Sequence, residues 1–221
     1  MTRALFEKQL TEIQEDTLVM AGMVENAILQ GIEALKLRDV AQARRIIEND
    51  VQINNKRYET EEKCIELISL QAPLASDLRT IISVLHITVD LERMGDHAEG
   101  IARIALMLAD EPPLKPNIDL PRMADIAIEM MESALEAYKQ RDTELARRVI
   151  ARDDEVDDLY EQIYRELLTF MIDERGTIQR ATYLIWVAHN LERIADRVTN
   201  ICERVVYLVE GKIQDLNVSK Y

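Results

Sequence analysis

The placement of proline constrains this sequence more than any other feature. The chain has 221 residues, 48% of them hydrophobic, and its five prolines lie at positions 73, 112, 113, 116 and 121. Proline breaks helices because it lacks a backbone donor, so the long ranges between these positions can remain helical. Apolar residues recur there at spacings of three and four, and no alternating strand pattern stands out. These features predict an all-α protein with unusually long helices.

The two sides of the proline-rich segment 109–121 repeat each other. EALKLRD (33–39) matches EAYKQRD (136–142) at an offset of 103, and LERMGD (91–96) matches LERIAD (191–196) at an offset of 100. Self-similarity of this kind indicates two copies of one supersecondary unit. We therefore predict two tandem, internally repeated three-helix bundles, with a first bundle over 1–110, a linker over 111–120 and a second bundle over 121–221.

Six long helices are expected, over 3–37, 40–70, 76–109, 119–140, 143–173 and 177–210. Ser76 is a suitable N-cap for the third helix, and Gly176 interrupts the chain before the sixth. The apolar positions of the third helix recur 100 residues later in the sixth, which predicts a bundle seam. These positions are Ile87, Leu91, Met94, Ala98, Ile101, Ala105 and Leu108, and Val187, Leu191, Ile194, Val198, Ile201, Val205 and Leu208.

Charge and patterning narrow the class of protein. The net charge of −14 argues against nucleic acid or anionic lipid as a general partner, because both need a positive surface. No run of 18 uncharged apolar residues predicts a membrane span, and the N-terminus turns acidic too early for a signal peptide. Cys64 and Cys202 fall in helical patterns and no CxxC motif occurs. We expect a cytoplasmic protein without direct membrane insertion.

Paired acids occur at equivalent places in the two halves. Glu92 and Asp96 lie one turn apart on the third helix, and Glu192 and Asp196 repeat the pair on the sixth. Each pair extends a row of residues that begins apolar, with Ile81, Leu85 and Val89 in the third helix and Ile185 in the sixth. We therefore expect the carboxylates to lie towards the inside of the bundles, where unpaired charge is costly.

The second helix of each half offers a matching pair, Asp50 with Asn54 and Asp153 with Asp157. Asn54 and Glu92 each lie 19 residues from Pro73, and the corresponding midpoint in the second half falls in the DERG turn. At a rise of about 1.5 Å per residue, both members lie roughly 28 Å from the turn of an antiparallel hairpin. The spacing therefore predicts that the pairs meet at one height in each hairpin.

Converging carboxylates repel one another unless a cation lies among them, and two interpretations stay open. One is an internal salt-bridge network that uses Arg93 and Arg193. The other is a metal site with oxygen ligands, because facing helices of bundles commonly hold paired metals through inward carboxylates. Arg93 and Arg193 would then orient the ligands as outer partners. His189 is either an added nitrogen ligand or a structural histidine. Spacing does not choose among iron, manganese, magnesium, calcium and zinc.

Four segments carry a resemblance to a known family: ASDLR (75–79), LERMGDHAEGI (91–101), DDEVDDLYE (153–161) and LERIADRVTNICE (191–203). Together they resemble the PhoU family of phosphate-uptake regulators, over about residues 5–211. The resemblance implies two three-helix bundles whose E/D-xxx-D motifs hold metal clusters in some members, with iron and zinc as candidate ions. Asn54 departs from that motif, since it offers a neutral oxygen.

The same resemblance implies a function. Members act as negative regulators of phosphate uptake and phosphate-starvation signalling. They are adaptors between the ATPase subunit of a phosphate ABC transporter and a sensor histidine kinase, and they often form homodimers. Within ASDLR, Asp77 and Arg79 are candidates for partner binding or, equally, ordinary charges in the first turn of a helix.

Other functions remain as alternatives. No convincing nucleophile or P-loop motif occurs, which favours a protein that is not an enzyme. A carboxylate-bridged metal enzyme or metal store is one alternative, although the Glu-x-x-His motif of ferritin-like proteins is absent. A purely structural bundle, whose acids pair with arginines alone, is another.

Overall fold

A computed structural model describes residues 3–114 and 119–217, and every regular element in those ranges is helical. The all-α prediction is confirmed. A 3-10 turn at Arg175–Thr177 contains the predicted break at Gly176. The described ranges hold seven α-helices: α1 (Arg3–Leu37), α2 (Val40–Gln71), α3 (Ala75–Met107), α4 (Leu120–Gln140), α5 (Thr143–Ala151), α6 (Asp153–Asp173) and α7 (Ile178–Glu210).

The repeated KLRD and KQRD sequences make the same turn in both halves. Arg38 and Arg141 adopt a left-handed backbone, with φ of 57° and 54°, at the ends of α1 and α4. The aspartates that follow, Asp39 and Asp142, are the N-caps of α2 and α5. Each side chain accepts a hydrogen bond of 2.9 Å from the backbone nitrogen three residues later. Such caps satisfy amides that a helix start would otherwise leave unpaired.

The third and fifth predicted helices differ from the structure. α3 begins at Ala75 because Leu74 is extended and its carbonyl accepts the first helical hydrogen bond, so Ser76 lies in the first turn and is not the N-cap. The predicted helix 143–173 is broken at Arg152, whose backbone nitrogen bonds the carbonyl three residues back, at 3.0 Å. Three acidic residues follow in the first turn of α6, where the helix dipole favours negative charge.

Each half forms a three-helix bundle. Helices α1, α2 and α3 pack together, α4, α5, α6 and α7 pack together, and α3 and α7 contact each other at the centre. Every predicted seam residue of α3 and α7 is buried, and one continuous core includes residues from both halves. The tandem three-helix architecture is therefore confirmed, with the fifth predicted helix divided into α5 and α6.

Polar side chains also lie between α3 and α7. The Asp90 carboxylate, which is 9% exposed, accepts a hydrogen bond of 3.2 Å from Asn200 and lies 3.5 Å from Arg197. Burial raises the pKa of Asp90, whereas the Asn200 hydrogen bond and the Arg197 charge act to lower it. A buried carboxylate of the first half thus depends on partners from the second half.

Arginines from both halves hold the start of the connection between them. Arg38 donates to the carbonyl oxygens of Leu108 and Ala109, and Arg180 donates to the carbonyl oxygen of Pro112 at 2.8 Å. The predicted linker 111–120 includes 115–118, which lie outside the described residues, as do 1, 2 and 218–221 at the ends of the predicted bundles. The exact domain boundaries stay predictions.

Helix α1 contains an 18-residue window long and apolar enough, by length and composition, to cross a membrane, and 33% of that window is buried. The core helix of a soluble protein passes the same test. The buried face of α1 packs into the first bundle through Phe6, Ile13, Met20, Val24 and Ile28. This packing gives its apolar residues a place in the core, and the cytoplasmic location stays a prediction.

Candidate functional site

The first cluster comprises Asp50 and Asn54 on α2 and Glu92, Asp96 and Glu99 on α3. Burial raises the pKa of Asp50, and the charges of Glu99, Asp96 and Glu92 raise it further. The Asn54 amide nitrogen donates to Asp50 Oδ2 at 2.8 Å. The structure therefore brings together the four predicted residues of the first half.

A glycine allows the close approach of α2 and α3 at this cluster. A Cβ atom added to Gly95 would lie 3.2 Å from the Ile53 side chain and 3.5 Å from Asp50 Oδ1. A cavity of about 120 Å³ opens beside Asp50 and Glu99. Several neutral amides also line it, namely Asn26, Gln30, Asn49 and Gln52. The surroundings of Asp50 are thus polar and rich in oxygen atoms.

Glu92 has an arginine partner that the sequence did not reveal. Its Oε1 atom lies 3.1 Å from Nη1 of Arg57, which also pairs with Glu61 at 2.9 Å. The predicted partner Arg93 lies farther away, with Nε 3.6 Å from Glu92 Oε2. That Oε2 atom is buried without a hydrogen bond. The charge of Glu92 is therefore only partly compensated by its neighbours.

Glu99 was missed in the sequence, although a signal for it existed. It follows Glu92 by seven residues, so Glu92, Asp96 and Glu99 continue one row along α3. Of the three carboxylates that raise the pKa of Asp50, Glu99 has the largest effect. Glu99 itself pairs with Arg103 at 2.6 Å. Its position makes it a fourth carboxylate of the first cluster.

The second cluster comprises Asp153 and Asp157 on α6 and Glu192 and Asp196 on α7. Burial, followed by the charges of Asp157, Asp196 and Glu192, raises the pKa of Asp153 to about 6, although a hydrogen bond from Asn217 opposes the shift. The break at the start of α6 places Asp153 in its first turn, and the side chain is 5% exposed. The four predicted residues of the second half therefore also converge.

Arg193 binds both acids of its own motif. Its Nη1 atom lies 2.8 Å from Asp196 Oδ2, and its Nε atom donates to Glu192 Oε2 at 2.6 Å. Despite this arginine, burial raises the pKa of Asp196. His189 Nδ1 lies 3.5 Å from Glu192 Oε2, and the His189 ring is 6.4 Å from that of Tyr160. The second cluster thus keeps an excess of negative charge.

A residue near the end of the chain, Asn217, also reaches the second cluster. Its amide nitrogen donates to Asp153 Oδ2 at 2.8 Å and lies 3.3 Å from Thr199 Oγ1. Nothing in the sequence pattern placed this residue there, because it follows α7 outside any helix. The hydrogen bond from Asn217 to Asp153 therefore comes from a residue outside the repeated helices.

Asp77 and Arg79, the candidates for partner binding, make internal contacts. Asp77 Oδ2 forms an ion pair with Nη1 of Arg3 on α1, at 2.8 Å. Arg79 packs against the end of α7, since a Cβ atom added to Gly211 would lie 3.5 Å from Arg79 Nη1. Arg79 Nε is buried without a hydrogen bond. These contacts tie the start of α3 to both neighbouring helices, and partner binding by either residue stays a prediction.

The clusters do not already form a coordination shell. Across 3–114 and 119–217, no group of three or more His, Cys, Asp or Glu side chains is arranged to hold a metal ion. Arginines and amides occupy part of the carboxylate oxygens, as with Arg57 at Glu92 and Arg193 at Asp196. Cation binding would therefore require the arginines to release these oxygens.

Comparison with known families settles the relationship of this chain. A family model described as the PhoU domain matches residues 17–105 and again residues 120–205. The chain belongs to the PhoU family. The first match falls within α1–α3 and the second within α4–α7. The internal repeat is therefore two copies of the PhoU domain, and the resemblance seen in the sequence is confirmed.

Individual PhoU proteins match most of the chain. "Phosphate-specific transport system accessory protein PhoU homolog" of Aquifex aeolicus (strain VF5) is 43% identical over 206 residues, which cover 93% of each chain. The crystal structure of PhoU from Pseudomonas aeruginosa is 35% identical with a TM-score of 0.89, covering 94% of this chain and 100% of that one. The crystal structure of the phosphate transport system regulatory protein PhoU from Streptococcus pneumoniae is 33% identical, also with a TM-score of 0.89, covering 95% and 99%.

Proposed function

We propose that this protein is a non-enzymatic negative regulator of phosphate uptake. The supporting observation is its 43% identity, over 93% of the chain, with a relative named as an accessory protein of the phosphate-specific transport system. Deleting the gene in its host should raise the expression of phosphate-uptake genes in phosphate-rich medium. Unchanged expression in the deletion strain would contradict the proposal, and the wild-type gene on a plasmid should restore repression.

The regulator acts as an adaptor between the ATPase subunit of a phosphate ABC transporter and a sensor histidine kinase. Its net charge of −14 suits basic docking surfaces on those partners, because complementary charge steers association and fixes register. Biolayer interferometry with each purified partner from the host should give binding that weakens with salt. Failure to bind either partner at low ionic strength would contradict the adaptor role.

The two clusters bind metal ions through their carboxylates. Support comes from three aspartates, Asp50, Asp153 and Asp196, whose pKa values are raised although cationic or amide partners are present. Besides burial, neighbouring carboxylates act to raise each of these pKa values, so the negative charges within each cluster repel one another. The buried Glu92 Oε2 atom has no hydrogen bond, although Arg93 Nε lies 3.6 Å away, and is a further acceptor. A bound cation would offset the mutual repulsion of these carboxylates.

Donor chemistry limits which ions fit. The first cluster offers the oxygens of Asp50, Asn54, Glu92, Asp96 and Glu99. The second offers those of Asp153, Asp157, Glu192 and Asp196, with His189 beside them. Oxygen-rich sites suit iron, manganese, magnesium, calcium and zinc, and iron or zinc clusters are the candidates that family resemblance favours. A bound ion would supply positive charge that links two helices of one bundle.

Metal content tests this role directly. Inductively coupled plasma mass spectrometry should find stoichiometric metal in protein purified without a histidine tag or chelator. The Asp50→Ala/Asp96→Ala variant should lose the metal bound at the first cluster. The Asp153→Ala/Asp196→Ala variant should lose the metal bound at the second. Asp125→Ala, on α4 and outside both clusters, is the control. Metal-free wild-type protein, even after reloading, would support a salt-bridge role for the acids instead.

A further inference from the structure

The chain folds back over the second cluster after α7 ends. Gly211 takes a left-handed conformation, with φ of 73°, which turns the chain at the helix end. Glu203 Oε1 accepts hydrogen bonds from the backbone nitrogens of Leu216 and Asn217, at 2.6 Å and 3.3 Å. The Leu216 side chain packs against the core. Residues 211–217, called here the C-terminal strap, are therefore held in place by backbone and side-chain contacts.

Asn217 of the strap gives Asp153 the same kind of hydrogen bond that Asn54 gives Asp50 in the first half. The amide of Asn217 donates to Asp153 Oδ2, and the amide of Asn54 donates to Asp50 Oδ2, both at 2.8 Å. Asp50 and Asp153 are equivalent positions, 103 residues apart. Each of these aspartates thus accepts one hydrogen bond from an asparagine amide, although the two asparagines come from unrelated places in the chain.

Two differences between the repeats accompany the strap at the second cluster. The position of Asn54 is occupied by Asp157 in the second half, and the position of Glu99 by Thr199. The second half therefore gains one carboxylate and loses another. The shorter Thr199 side chain lies 3.3 Å from the Asn217 amide, in the space beside Asp153.

With the strap, the two clusters match in their number of carboxylates and in having one asparagine bonded to Asp50 or Asp153, although the first cluster also borders further amides. The first cluster has four carboxylates and one carboxamide, from Asp50, Glu92, Asp96, Glu99 and Asn54. The second cluster with the strap also has four carboxylates and one carboxamide, from Asp153, Asp157, Glu192, Asp196 and Asn217. The strap restores a group that the second repeat lacks.

We propose that Asn217 is a positioning residue of the second metal site and that strap closure and cation binding stabilise each other. This inference rests on the proposed metal role of the clusters. The amide fixes Asp153 through Oδ2, and Oδ1 is the oxygen that would take the cation. Partners of this kind orient ligands, and their loss typically lowers metal affinity by about 10- to 100-fold. By linkage, the factor by which strap closure strengthens cation binding is also the factor by which the cation favours the closed strap.

Calorimetric titration with Zn²⁺ tests whether Asn217 positions the metal ligands. The background is Asp50→Ala/Asp96→Ala, so that only the second cluster is titrated. Adding Asn217→Ala should weaken Zn²⁺ binding by about 10- to 100-fold. Ile213→Ala is the control, because that strap side chain is 70% exposed and should leave the affinity unchanged. An unchanged or increased affinity in the Asn217→Ala protein would overturn the inference, an increase showing that the amide competes with the ion.

Hydrogen–deuterium exchange of the strap tests whether strap closure and cation binding are coupled. Zn²⁺ should slow exchange at the Leu216 and Asn217 amides of the full chain, and this protection should vanish in Asp153→Ala. Zn²⁺ binding without slower exchange would overturn the coupling while leaving the metal role intact. A wild-type chain that binds neither Zn²⁺ nor Fe²⁺ would overturn both proposals. The two failures are therefore distinguishable.

Discussion

The ring atom Nδ1 of His97 on α3 lies 2.9 Å from the side-chain oxygen of Asn190 on α7. Asn190 stands 100 residues after Asp90, and Arg197, whose Nη1 atom lies 3.5 Å from Asp90 Oδ1, stands 100 residues after His97. The two contacts therefore use equivalent positions of the two PhoU domains. A Cβ atom added to Gly100 would lie 3.1 Å from the Asn190 oxygen, so the seam is tight there. The repeats have kept the position of this contact and changed its chemistry.

Removing one partner of Asp90 should weaken the contact between α3 and α7. Asn200→Ala leaves a buried carboxylate without its amide, which typically costs about 1–3 kcal/mol of unfolding free energy. In an Asp90→Ala background the same substitution should cost much less, because the carboxylate is gone. Urea unfolding of the four proteins gives the coupling energy. Additive effects would contradict a direct dependence of Asp90 on Asn200.

Asp153 should destabilise the metal-free protein at neutral pH. Its pKa is about 6 in the folded chain, against an ordinary value of 3.8, so unfolding releases a proton between these pH values. Stability therefore falls as the pH rises through this window and does not recover above it. In chelator, Asp153→Asn should raise the unfolding free energy at pH 7 by about 1–3 kcal/mol, with no gain near pH 3.5.

The control for this prediction is Asp158→Asn, an exposed carboxylate on the same helix. Urea unfolding as a function of pH should show little change for that variant. An Asp153→Asn protein less stable than the wild type at pH 7 would mean that the carboxylate contributes favourably when folded, and would contradict the charge excess inferred for the second cluster.

Arg193 and a metal ion should compete for Glu192 and Asp196, since the guanidinium contacts both acids. In chelator, Arg193→Ala should lower the unfolding free energy by about 1–2 kcal/mol, because partly buried carboxylates lose their partner. Zn²⁺ should then bind the variant more tightly in calorimetry. Arg165→Ala, which removes an exposed pair on α6, should do neither. Weaker Zn²⁺ binding by Arg193→Ala would mean that Arg193 orients the ligands.

The left-handed arginines at the ends of α1 and α4 should respond differently to glycine. Arg141→Gly removes the steric cost of a positive φ and should stabilise by about 1 kcal/mol. Arg38→Gly removes the same strain but also the hydrogen bonds to the carbonyls of Leu108 and Ala109, so its gain should be smaller or negative. Urea unfolding midpoints compare the two. A larger gain for Arg38→Gly would contradict a role in holding the connection.

Much of the fold could be predicted because helices leave local, periodic signals. Proline-free ranges with apolar spacings of three and four fixed the helices to within a few residues, and equal distances from the turns placed the acids together. The break at Arg152 was missed because arginine continues most helices, and the cause lies in hydrogen bonding and acidic neighbours instead. Ser76 was a plausible cap, but the extended backbone after Pro73 started the helix earlier.

The site residues that were missed differ in kind. Glu99 continues the row of Glu92 and Asp96 and could have been found by adding one turn. Arg57 is a long side chain on α2 that reaches across to α3, and its choice between Glu61 and Glu92 depends on packing. Asn217 depends on the direction the chain takes after its last helix. Contacts that depend on tertiary approach leave no periodic trace.

The continuous core has a consequence for what the duplication can mean. The seam buries apolar faces of α3 and α7, which either three-helix unit alone would show to water. A single PhoU domain of this sequence would thus expose one apolar side to water, and packing against the second domain covers that side. The two sequence repeats share one hydrophobic core, so we expect a core substitution in one half to destabilise the other half as well.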